Sequence, residues 1–197
     1  MKSHRFRLTV VLMSLCAAAF AQSDTQKTID KLAVSDAQKS FTQLKTLAGG
    51  WQGAVTVDPP QPDWGNGTTL QISLRVTSRG NALVHEMHET GKPDDPAQYD
   101  HPLTMLYLDN DRLLLTHYCD AGNRPRMVAR TSPDGKTVEF DFIDLSGGNQ
   151  YGHMYHAVFT IIDANHHIEE WTYMMPGDKP VRARMDLKRV QNVSAAK

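Results

Sequence analysis

Thr69-Leu70-Gln71-Ile72-Ser73-Leu74-Arg75-Val76 changes character at every residue, with Leu70, Ile72, Leu74 and Val76 apolar and the residues between them polar. Successive side chains of an extended chain point to opposite faces, so this period of two predicts a strand with one face on a core and one in water. Val181, Ala183, Met185 and Leu187 alternate with Arg182, Arg184, Asp186 and Lys188 in the same way, and Val138, Phe140 and Phe142 repeat the pattern. Further strands are expected at about 51–57, 82–89, 103–109, 112–118, 124–131, 151–162 and 167–175, making ten with the three alternating ones. Turn sequences separate them: Asp109-Asn110-Asp111, Ser132-Pro133-Asp134-Gly135, Asp163-Ala164-Asn165 and Pro176-Gly177-Asp178.

Short turns pair neighbouring strands antiparallel, and no second helix is available to cover a parallel sheet. Ten such strands must hide their edges, either by closing into an up-and-down barrel or by packing two sheets, and meander connectivity favours closure. The expected fold is therefore all-β: an antiparallel up-and-down barrel of about ten strands over residues 35–190, with one short N-terminal helix. That helix is read at 36–47, where Ser35 and Gln38 have capping-box spacing, Phe41, Leu44 and Leu47 recur at helical intervals, and Gly49-Gly50 ends the turn. Asp58–Gly67 and Thr90–Pro102, the longest irregular stretches, are expected to cap one mouth.

Upstream, Lys2, Arg5 and Arg7 precede an apolar run from Leu8 to Phe20, and Ala19-Phe20-Ala21 fits a small-x-small cleavage signal. Residues 1–21 are expected to be a signal peptide cut after Ala21. The run is too short for a membrane span, so no integral anchor is expected after cleavage, and the mature chain would be periplasmic or secreted. Residues 22–34 read as a mobile polar lead-in and 191–197 as a disordered tail. Losing three cations and no acid shifts the formal charge from −1 to −4, which argues against a nucleic-acid partner. Cys119 would be the remaining thiol, so no intramolecular disulfide can form.

Gly49-Gly50-Trp51 opening the first strand after a short helix resembles the Gly-x-Trp signature of lipocalin-like, calycin-type barrels. That resemblance implies a Trp closing the barrel floor under an Arg of the last strand, here Arg184 or Arg189. Thr116-His117-Tyr118-Cys119, Gly122 to Met127, and Asp163 with Glu169-Glu170-Trp171-Thr172 are similar to an uncharacterised family of small exported bacterial lipocalin-like proteins. Haem-binding nitrobindin-like barrels are a more distant likeness.

Several polar residues share parity with the expected core. His117 matches Leu113 and Leu115, and His153 matches Tyr155, Ala157 and Phe159, so both are expected to point inward. Trp171 shares a face with Glu169 and Tyr173. Arg126 can be read either way: Met127 and Ala129 place it in water, Val128 places it inside, where it would need Glu169, Glu170 or an anionic ligand group. The function expected is an exported binding protein holding a small apolar or amphipathic molecule, with His117, Asn123, Arg126, His153, Tyr155 and Trp171 as candidate contacts. One alternative is a haem- or metal-binding barrel using His117 or His153; another is a hydrolase or isomerase using His117 and Cys119. His85/His88 and His153/His156 have metal-like spacing, but residues three apart on a strand face opposite ways. No Gly-x-Ser-x-Gly, phosphate loop or dinucleotide fingerprint is present, and no catalytic residue is assigned.

Overall fold

The computed structural model describes residues 34–62 and 67–190. The expected leader with its cut after Ala21, nearly all of the lead-in and the tail 191–197 lie outside the described residues. Helix α1 (Asp36–Lys45) starts as its sequence requires, with the Ser35 side chain accepting from Gln38 N at 3.2 Å. It ends slightly sooner than expected, capped at Thr46, while Leu47 stays buried beyond it.

Ten strands follow: β1 (Gly49–Asp58), β2 (Thr69–Thr77), β3 (Ala82–Glu89), β4 (Leu103–Asp109), β5 (Arg112–Tyr118), β6 (Arg124–Thr131), β7 (Thr137–Ser146), β8 (His153–Asp163), β9 (His166–Met175) and β10 (Lys179–Val190). Each pairs antiparallel with its sequence neighbours, and β10 returns to β1, closing an up-and-down barrel with no free edge. The connections alternate between the two ends. One end carries the tight turns and α1; the other carries 59–62 with 67–68, 90–102, 119–123, 147–152 and 176–178.

The helix end is solid. Phe41, Leu44 and Leu47 pack with Trp51, Phe140 and Phe159 in one apolar cluster, each at most 1% exposed. Trp51 Nε1 donates to Leu47 O at 2.7 Å, tying helix to sheet. The Arg189 guanidinium lies 4.2 Å from the Trp51 ring centroid and donates to Thr46 O, Ala48 O and Ala164 O. Arg189 is thus the floor arginine, whereas Arg184 pairs with Glu170 on the outer surface. The glycine of Gly-x-Trp also acquires a reason. Gly49 has φ +135°, and a Cβ there would sit 2.5 Å from Arg189 Nη1.

A contrast tests this assignment. Arg189→Ala removes three hydrogen bonds and a cation–π contact, and is expected to cost about 2–3 kcal/mol in urea unfolding. Arg184→Ala removes one exposed pair and is expected to cost less than about 1 kcal/mol. Equal losses would count against Arg189 as the floor clasp.

Candidate functional site

Above the floor the barrel holds a polar cluster built mainly from β3 and β9. Alternation on β9 turns His167, Glu169, Trp171 and Tyr173 inward. Glu169 is fully buried and accepts from three sides: His85 Nε2 lies 3.0 and 3.2 Å from its two oxygens, His167 Nε2 donates at 2.9 Å, and Trp171 Nε1 donates at 2.9 Å. Burial pushes the Glu169 carboxyl up, but His85 and His167 outweigh it and hold the group well below the usual carboxylate range. The second ring nitrogens of His85 and His167 are buried without a hydrogen-bond partner.

His117, from β5, stands next to this cluster, its ring centroid 5.7 Å from that of Trp171. Its Nδ1 is 2.8 Å from Thr104 Oγ1, and Nε2 has no hydrogen-bond partner among the described residues. The residue is 1% exposed, and burial, helped by neighbouring His85, lowers its pKa to about 3. The imidazole is therefore neutral at any ordinary pH.

Beyond His117 the packing opens into a cavity of about 230 Å³ that reaches the loop end. Its walls are Val55, Leu70, Met87, Trp171 and Met185 among other apolar side chains; its rim carries Glu89, Asp100, Cys119 and Asp120. Asp100 is pushed up to about 6 by partial desolvation and by the like charge of Asp120, with smaller opposing effects of the Asp120 backbone N–H and His101. Burial, with the nearby acids, pushes the Cys119 thiol up to about 11. Oxygen and sulfur atoms of Asp100, Cys119 and Asp120 lie within 4.8 Å of one another.

His117 and Trp171 line the cavity, as their parity requires. The remaining candidates do not. Arg126 is a correction to the inward reading: it points to solvent and pairs with Asp144 across β6 and β7, Nε to Oδ1 at 2.9 Å. Met127 and Pro125 take the buried face instead, so simple alternation decides its side. Tyr155 is a second correction, being 42% exposed and stacked on Phe142. The register of β8 against β9 slips between Met154 and His156, so Tyr155 is the extra residue of a bulge and alternation reverses across it. Met154 therefore takes the cavity position expected of His153. His153 is buried beside Phe142, with Nδ1 2.9 Å from Asn149 Oδ1. His117 and His153 thus do not face one cavity as a common ligand pair. Asn123 is buried and donates to Gly148 O at 2.9 Å and Gly152 O at 2.7 Å, pinning the 147–152 loop.

The proposed His117–Cys119 dyad meets a physical obstacle. A thiolate–imidazolium pair needs a lowered thiol and a raised imidazole pKa, and both groups move the other way. His85 and His167 were missed as partners of Glu169. For His85, the signal was its inward parity with Leu83; pairing across the barrel interior had none.

Fold and site together define a closed ten-stranded antiparallel barrel, packed solid at its helix end and hollow at its loop end. Neither a family model nor a curated protein matches the sequence. Among solved structures the chain is similar to Rv2717c from M. tuberculosis, with a TM-score of 0.59 and 13% identity over 77% of this chain and 98% of that one. At that identity the likeness shows the fold alone. A protein of unknown function from the DUF3598 family of Nostoc punctiforme matches over 77% and 98% of the two chains, with 8% identity and a TM-score of 0.24.

Proposed function

We propose that this lipocalin-like barrel is a binding protein that holds one small molecule with an apolar body in the loop-end cavity, and that it does so after export. The observation that carries the reading is the contrast within one interior. Apolar side chains fill the helix half, while the loop half leaves about 230 Å³ lined by apolar walls, with the neutral His117 beside it offering an unused nitrogen. Ligand sites are commonly apolar concavities with a few convergent polar groups, and this volume suits a guest below drug size. Export is supported by residues 1–21, and the acidic mature charge supports a partner that is not nucleic acid.

Filling the cavity provides the test. Ala183 lies on its wall, so Ala183→Phe is expected to weaken binding of a solvatochromic apolar dye at least tenfold with little change in the unfolding midpoint. Unchanged dye affinity in a folded Ala183→Phe protein would place the dye elsewhere and remove the proposal. Titration with hemin in parallel separates the haem alternative, since a Soret shift lost in His117→Leu would replace this reading with that one.

A further inference from the structure

The polar groups around the cavity share one character. Glu89, Asp100 and Asp120 bring carboxylates to the rim, while the lining contains no lysine or arginine among the described residues. None of the three acids has a lysine or arginine partner among the described residues. The outer face of β6 to β10 differs, since Asp144 meets Arg126, Asp141 meets Arg130 and Glu170 meets Arg184. Asp100 and Asp120 are instead set against each other, with Asp100 Oδ1 accepting from Asp120 N at 3.2 Å.

Independently, His117 is buried and its Nε2 is unpartnered beside the same cavity. With Nδ1 paired to Thr104 Oγ1 and the ring neutral, Nε2 is a polar contact without charge, an acceptor or a donor according to the tautomer. The Tyr173 hydroxyl uses its proton on Tyr151 O at 3.1 Å. The Trp171 N–H is spent on Glu169, which leaves its ring at the wall of the cavity. Three carboxylates without a described lysine or arginine beside them, together with two aromatic rings, suit a guest that brings positive charge.

We propose that the ligand is a cationic amphiphile, with a short hydrocarbon body in the cavity and an ammonium-type head held at the rim by Glu89, Asp100 and Asp120. This rests on the binding reading above and adds the sign of the charge. A carboxylate-headed lipid of the same length would meet three like charges and no lysine or arginine among the described lining residues, so the rim selects against it.

Three probes of equal chain length separate the possibilities: octylammonium, 1-octanol and octanoate, titrated calorimetrically into the full mature chain at pH 7.5. Octylammonium is expected to bind at least tenfold more tightly than octanol, and octanoate most weakly. Asp100→Asn with Asp120→Asn is expected to reduce the octylammonium affinity about tenfold and leave octanol unchanged. Both positions are exposed, and Glu89→Gln supplies an independent rim variant should the double variant fold poorly. In 0.5 M salt the preference is expected to shrink. If none of the three probes binds, the cavity reading itself fails. If octanoate binds as well as octylammonium, the cavity reading stands and the charge inference falls. Zinc ion binding tightly to the wild type and not to Cys119→Ser, without octylammonium binding, also overturns the inference by making the rim a metal site.

Discussion

Replacing Glu169 with Ala is expected to destabilise the barrel by about 3–5 kcal/mol, the cost typical of removing one partner from a buried charged network. Glu169 is 0% exposed and serves His85, His167 and Trp171 together. Its loss leaves those groups desolvated around an empty volume without the acceptor they share. In a domain of this size the loss corresponds to roughly 10 °C in midpoint. Glu169→Gln keeps the shape and one acceptor, but turns an NH₂ toward groups that donate, so about 1–3 kcal/mol is expected. Glu170→Ala, one residue along and facing out toward Arg184, is expected to cost less than about 1 kcal/mol. Thermal and urea unfolding of the three variants check this order. A Glu169→Ala protein as stable as Glu170→Ala would show that the cluster is not the keystone of the interior.

The second large effect concerns acid. His117 is neutral in the folded barrel down to about pH 3, whereas an unfolded chain protonates it near 6.5. Between those values the unfolded state binds more protons, so stability falls as pH falls across the window from 6.5 to 3. A shift of this size in a buried group is worth several kcal/mol. Glu169 acts in the same direction at lower pH, since its depressed pKa lets the unfolded chain take a proton first. Asp100 acts oppositely: its pKa of about 6 means that the folded state binds the proton more tightly, and its ionisation costs stability as pH rises through 6. Asp120, Cys119, His101, Glu89 and Tyr173 belong to the same rim or adjoin it. The clean comparison is therefore wild type against His117→Leu combined with Thr104→Val, which avoids an orphan hydroxyl. The variant is expected to lose the part of the pH dependence between 6.5 and 3 that His117 contributes. Parallel stability curves for the two proteins would mean that His117 protonates freely in the fold.

His117 and Trp171 were readable as inward residues because no bulge interrupts β5 or β9 near them, and alternation carries along an unbroken strand. Tyr155 and His153 were misread for the converse reason. One extra residue in β8 reverses every side chain beyond it, and nothing in Tyr151–His156 marks where the slip falls. The Asn123 staple on the 147–152 loop was equally hidden, since its partners are backbone carbonyls more than twenty residues away.

Periodicity and turn chemistry by themselves determined the ten strands, their antiparallel order and the capped helix, because these follow from local alternation and short connections; they favoured closure over two packed sheets, and the pairing of β1 with β10 decided it. Tertiary structure alone decided which arginine clasps Trp51, that Glu169 gathers His85 and His167, and that the loop half stays hollow. Those outcomes depend on which side chains meet across the interior and how much volume they leave, quantities set by three-dimensional packing between residues far apart in the chain.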